Sequence, residues 1–131
     1  MKRWTLAPGT LDERVVTGER PHKYGAIPTT VDNIRFDSKA EAKRYSELKL
    51  LEKAGEIKEL QLQPRFELMA PERGSGFDVR IGDYVADFRY REGPKGLLKI
   101  EDVKGVKTAL YRWKKKHVEA QYGITITEIQ S

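Results

Sequence analysis

Two aspartates that a tight hairpin would set face to face constrain this chain more than any other feature. Residues 84–105 read YVADFRYREGPKGLLKIEDVKG. Tyr84–Tyr90 is rich in aromatic residues, Leu97–Val103 is largely aliphatic, and Gly93-Pro94-Lys95-Gly96 between them is turn chemistry. With Pro94-Lys95 at the tip and Gly93 opposite Gly96, Asp87 falls across from Asp102 and Val85 across from Lys104. Facing residues of an antiparallel pair hold their Cβ atoms about 4.5–5.5 Å apart, and like charges there repel. Two carboxylates so placed need a cation. Lys104, on the face of Asp102, supplies one positive charge, and a divalent ion would supply more. A slip of one residue would break the pairing.

The rest of the composition sets bounds. A length of 131 residues is expected to form one domain with a real core. With no cysteine, disulfides and thiolate metal sites are excluded, and a reducing cytoplasm is the expected compartment. No apolar run reaches the length of a membrane span or a signal segment, so a soluble, unprocessed chain is expected. The histidines, His22 and His117, are far apart and belong to no zinc-like cluster. Ser75 lacks a nucleophile-elbow context, and no glycine-rich phosphate loop is present, which argues against ATP or another nucleotide cofactor. Lys and Arg exceed Asp and Glu by 25 to 20. Six of the basic residues, and no acid, fall between Val103 and Val118. That block reads either as a footprint for phosphate or as a solvated helix face.

In chain order, residues 1–24 carry Pro8-Gly9, Gly18 and Pro21 without a period, and read as an arm. Its basic residues would let it lie along DNA or along a second subunit. Thr30–Phe36 is expected to be a short strand. Ser38 is an N-cap with Glu41 three residues on, and helical composition runs to Ala54 before Gly55. Tyr45, Leu48 and Leu51 form the buried stripe, with Glu41 near its centre. Glu41 is therefore either a capping-box partner or an inward-pointing functional acid. Leu60–Met69 reads as one strand entered through Gln63-Pro64, and residues 70–82 as a loop or loose hairpin. Thr108 can cap a second helix reaching Tyr122, closed by Gly123, and Ile124–Ile129 alternates as a last strand. The expected fold is α/β: helix, three antiparallel strands, helix, strand, with a mixed sheet flanked by helices. The domain would span residues 25–131.

This order, with Glu41 in the first helix, Asp87 in the second core strand and Asp102-Val103-Lys104 ending the third, resembles the PD-(D/E)xK nuclease superfamily and its restriction-endonuclease-like core. More narrowly, KYGAIPTTVDNIRFDSKAEAKRY, LQPRFEL, YVADFRY and IEDVKG with its Lys-rich helix resemble small phage and prophage proteins long listed as a domain of unknown function and regarded as Holliday-junction-resolvase-like endonucleases. The resemblance covers Lys23 to about Ile129. Ala86 stands where proline precedes the first aspartate in that pattern, and Asp102 where glutamate is commoner.

The resemblance implies a metal-dependent endonuclease that hydrolyses phosphodiester bonds in branched or junction DNA, uses Mg²⁺ with Mn²⁺ as substitute, and acts as a homodimer. Catalytic residues would be Glu41, Asp87, Asp102 and Lys104, with Asp87, Asp102 and Glu41 serving the metal. A carboxylate and an ammonium acting on one phosphate must share a face, and alternation joins Asp102 to Lys104. That favours Asp102 over Glu101, which stays in reserve. Lys107, Arg112, Lys115 and Lys116 are the expected DNA contacts, with Lys115 and Arg112 exposed. The competing readings are an inactive DNA-binding module on the same fold, a basic adaptor for an acidic protein, and plain salt bridges from Asp102 to Lys104 and from Asp87 to Arg89 or Arg91.

Overall fold

Ser38 opens the first helix as its sequence requires: its side-chain oxygen accepts from the Glu41 backbone N–H at 3.2 Å. The computed structural model describes Thr5–Leu6 and residues 27–131. Its elements are β1 (Thr5–Leu6), β2 (Thr29–Val31), β3 (Ile34–Phe36), α1 (Lys39–Lys53), β4 (Ile57–Leu62), β5 (Arg65–Pro71), β6 (Asp78–Val85), β7 (Phe88–Glu92), β8 (Leu97–Lys104), α2 (Ala109–Tyr122) and β9 (Ile126–Gln130). A four-stranded sheet runs β4-β7-β8-β9, in which only the β8–β9 pair is parallel. Among the described residues the fold is α/β with a mixed sheet and two helices. α2 is the crossover between the parallel strands, its start capped by Thr108 and its end by Gly123 in the left-handed region.

The sheet separates two cores. Phe88, Tyr90, Val103 and Ile57 pack with Phe36, Tyr45 and Leu48 on the α1 side. Ile100 and Ile126 pack with Tyr84, Phe66, Leu68, Tyr111 and Val118 on the α2 side. Among the described residues no helix is long and apolar enough to cross a membrane.

Four expectations need correction. Leu60–Met69 is not one strand: β4 ends at Leu62 and β5 starts at Arg65. Pro64 has no N–H to give a ladder, and Gln63 turns the chain at φ 50°. Residues 70–82, by contrast, follow the hairpin alternative, since β5 and β6 pair on either side of Gly74-Ser75-Gly76. Tyr84–Tyr90 is broken at Ala86-Asp87, where the chain leaves that hairpin for the main sheet. The break reverses the faces: Tyr84 and Ala86 join the α2-side core, while Phe88 and Tyr90 join the α1-side core. Thr30–Phe36 is a two-strand hairpin turned at Asp32-Asn33, both at positive φ, as a two-residue turn of this kind requires. The last strand also starts two residues later than expected, at Ile126. Of the arm, Thr5–Leu6 pairs with β3; its other residues, and with them its expected contacts, lie outside the described ones.

The β5–β6 hairpin has unlike edges. α2 side chains occupy the outer edge of β5: Gln121 accepts from Met69 N–H at 2.9 Å, His117 Nε2 lies 2.9 Å from Met69 O, and Tyr122 donates to Glu67 O at 2.8 Å. β6 pairs with no described strand besides β5 and exposes Val79 and Ile81, and Phe77 just before it is exposed too.

Candidate active site at the carboxyl end of β8

The turn at Gly93–Gly96 closes with Gly96 N–H donating to Gly93 O at 3.0 Å, so Pro94-Lys95 is the tip and the register follows. β7 and β8 pair from Glu92↔Leu97 to Phe88↔Glu101. Asp87 lies just before β7 and Asp102 just after Glu101, and Asp87 N–H donates to Glu101 O at 3.0 Å. The Asp87 carboxylate accepts from Val103 N–H at 2.7 Å. Asp87 and Asp102 are each 0% exposed. The parallel register then places Glu128 of β9 beside Asp102. Three carboxylates thus form one row.

The α2 side supplies the row's partners. The Tyr84 hydroxyl donates to Asp102 Oδ2. Lys104 Nζ lies 3.6 Å from Asp102 Oδ1 and 4.4 Å from the centre of the Tyr111 ring, so the ammonium rests between a carboxylate and a π face. Tyr111 donates to Glu128 at 2.8 Å, and Lys107 pairs with Glu128 at 2.9 Å. Burial first, then the Asp102 charge, raises the Tyr84 phenol far above its ordinary value, so it serves as a donor rather than a phenolate. Burial, followed by the Glu128 hydrogen bond, does the same to Tyr111. The Lys107 hydrogen bond holds the Glu128 carboxyl below its usual range.

Glu101 belongs to the other face. Arg44 of α1 grips it with both arms, Nε at 2.8 Å and Nη2 at 2.6 Å, and the Tyr90 hydroxyl donates to it as well. Glu41 is buried one turn before Arg44 on the same helix. Among the described residues no three His, Cys, Asp or Glu side chains form a metal-holding group.

The expected DNA contacts divide. Arg112 and Lys116 are exposed. Lys107 is held by Glu128, and Lys115 is half-buried beside Glu119 at 3.5 Å, which corrects its expected exposure. Lys115 sits one helical turn before Glu119, and that i,i+4 spacing draws the pair together. Arg89 and Arg91 lie on the main sheet, and the carboxylate bonds described above for Asp87 run to β8.

Sequence reasoning missed Tyr84, Tyr111, Glu128 and Arg44. For Glu128 one signal existed, its alternation with Ile126 on a single face; the parallel register that brings it to Asp102 had none. A cavity of about 120 Å³ opens beside the row, lined by Asp83, Tyr84, Val85, Thr108, Leu110, Tyr111 and Lys114. A larger open concavity of about 730 Å³ lies at the other end of the β7–β8 hairpin, around Gly93 and Pro94.

No curated protein and no solved structure matches the chain. A family model matches residues 21–129, and by that match the chain belongs to the family described as protein of unknown function DUF1064.

Proposed function

We propose that this chain is a metal-dependent DNA endonuclease that hydrolyses phosphodiester bonds on a restriction-endonuclease-like core. One observation carries the reading: Asp87, just before β7, and Asp102 of β8 are both fully buried at the open end of the β7–β8 hairpin, the Asp87 carboxylate bonded to Val103 N–H and Lys104 lying 3.6 Å from Asp102. The element order supports it too, since α1, β4, β7, β8, α2 and β9 give helix, three antiparallel strands, helix and a parallel strand, with the β5–β6 hairpin inserted.

The donor set fits a hard cation. Both groups are carboxylates, and Mg²⁺ takes oxygen ligands, often one or two carboxylates completed by waters and phosphate oxygens. Asp87 and Asp102 would hold it, and Mn²⁺ would substitute. When bound, such an ion polarises a phosphodiester and lowers the pKa of an attached water. Lys104 donates to the phosphoryl oxygens as negative charge develops there, held in place by Asp102 and by the Tyr111 ring. Tyr84 fixes the orientation of the Asp102 carboxylate through its hydroxyl. Arg112 and Lys116 take flanking phosphates, and Lys107, tied to Glu128, stands beside them. Glu41 acts from α1 as an auxiliary acid rather than as a member of the aspartate pair.

A panel of branched, nicked and linear DNAs with Mg²⁺ or Mn²⁺ tests this. Cleavage is expected with metal and none with EDTA. Asp87→Asn and Asp102→Asn should abolish cleavage while keeping or strengthening binding, and Lys104→Met should slow turnover by about 10²–10³. Glu41→Gln, which still serves a capping box, should cut turnover with little change in stability. Wild-type turnover in either aspartate variant would sink the assignment. DNA binding without cleavage under every metal would leave the binding module.

A further inference from the structure

Two large apolar side chains one turn apart on α2 face solvent, Leu110 at 60% and Trp113 at 55% exposure. Single exposed apolar residues are ordinary on a protein surface. This pair differs in its surroundings. Arg112 and Lys116, one turn apart on the same helix, are exposed next to Trp113. Leu110 also lines the 120 Å³ cavity, whose other walls include Tyr84 and Tyr111. Those tyrosines hold Asp102 and underlie Lys104. Leu110 therefore stands between that cavity and Trp113, which follows it by three residues on α2.

We propose that Leu110 and Trp113, with Arg112 and Lys116, form a stacking platform for unpaired nucleotides of single-stranded DNA leaving the active site. The inference rests on the nuclease reading and names its substrate class: DNA with an unpaired strand next to the scissile phosphate. The chemistry is that of sequence-tolerant single-strand binding, in which aromatic faces take bases and neighbouring cations take the backbone. A base paired inside a duplex shows its edges rather than its faces, so the indole has nothing to stack on there. The charge pattern suits this ligand: among residues 109–118 there are four Lys or Arg and no acid. An acidic protein would meet the same cations but supplies no succession of flat faces.

The chain has two tryptophans, Trp4 and Trp113, so a Trp4→Phe variant leaves Trp113 as the sole indole reporter. In EDTA, where cleavage is silent, oligodeoxythymidylate is expected to quench its emission, whereas blunt duplex of equal length and heparin are not. Trp113→Ala should weaken oligodeoxythymidylate binding about tenfold and duplex binding less than twofold, while Trp113→Phe should retain most of the affinity. Arg112→Ala with Lys116→Ala should weaken both DNAs and flatten the single-strand salt slope by about 1.4. Equal losses on single strand and duplex in Trp113→Ala, or equal quenching by heparin, would overturn the platform. The two readings fail separately. Quenching without any metal-dependent cleavage sinks the nuclease and spares the platform; cleavage with no single-strand preference in Trp113 does the reverse.

Discussion

Glu101 and Asp102 are neighbours in the chain and opposite in surroundings because a strand turns successive side chains to opposite faces. Glu101 faces α1, where Arg44 and Tyr90 saturate it; Asp102 faces α2, with Tyr84 and Lys104. This split was legible in the alternation of KIEDVK. Its partners were not, since Arg44 stands 57 residues from Glu101 and Tyr84 18 from Asp102. Sequence gives the direction of a side chain along a strand; what it meets depends on how distant elements dock. Arg44→Met should cost about 3–5 kcal/mol, because it strands a buried carboxylate, and urea unfolding would measure it. Adding Glu101→Gln to that variant should recover part of the loss. A cost under about 1 kcal/mol for Arg44→Met would mean that solvent reaches Glu101.

At the scale of elements, the helices could be read and the strand breaks could not. Ser38, Thr108 and Gly123 act locally, so their roles survive any tertiary context. The break at Ala86-Asp87 hides inside an unbroken alternation of Tyr84, Ala86, Phe88 and Tyr90. That pattern continues because each half meets its own apolar core, so periodicity alone carries no trace of the reversal. The Gln63 turn is similar: its N–H donates to Asp87 O at 2.9 Å, joining the two breaks. Gln63 holds φ 50°, which a β-branched residue tolerates poorly. Gln63→Val should therefore destabilise by about 1–3 kcal/mol, and Gln63→Gly should be close to neutral or stabilising. Chemical denaturation of the pair checks the sign. A neutral valine variant would show that the turn is not held.

Across the whole molecule, the carboxylate row is assembled from the residue before β7, from β8 and from β9, so its charge repulsion is a property of the closed sheet and vanishes on unfolding. A cation that binds only the folded row should stabilise it by mass action, by about 2.7 kcal/mol when free Mg²⁺ exceeds its Kd a hundredfold. Calorimetry should show Tm rising with Mg²⁺ and falling back on EDTA, with the response lost in Asp87→Asn. An equal rise in wild type and variant would place the ion elsewhere.

The unlike edges of the β5–β6 hairpin limit how copies of this chain can associate. An open strand edge is a template, and a protein with two of them can add copies from both ends into a fibre. Here α2 fills the hydrogen-bonding positions of β5 with Gln121, His117 and Tyr122, and β6 keeps its own. Strand addition through β6 would join two copies edge to edge around a two-fold axis and could not continue through this hairpin, since its β5 edge is already occupied. The side chains that anchor the helix thus leave β6 as the open edge of that hairpin.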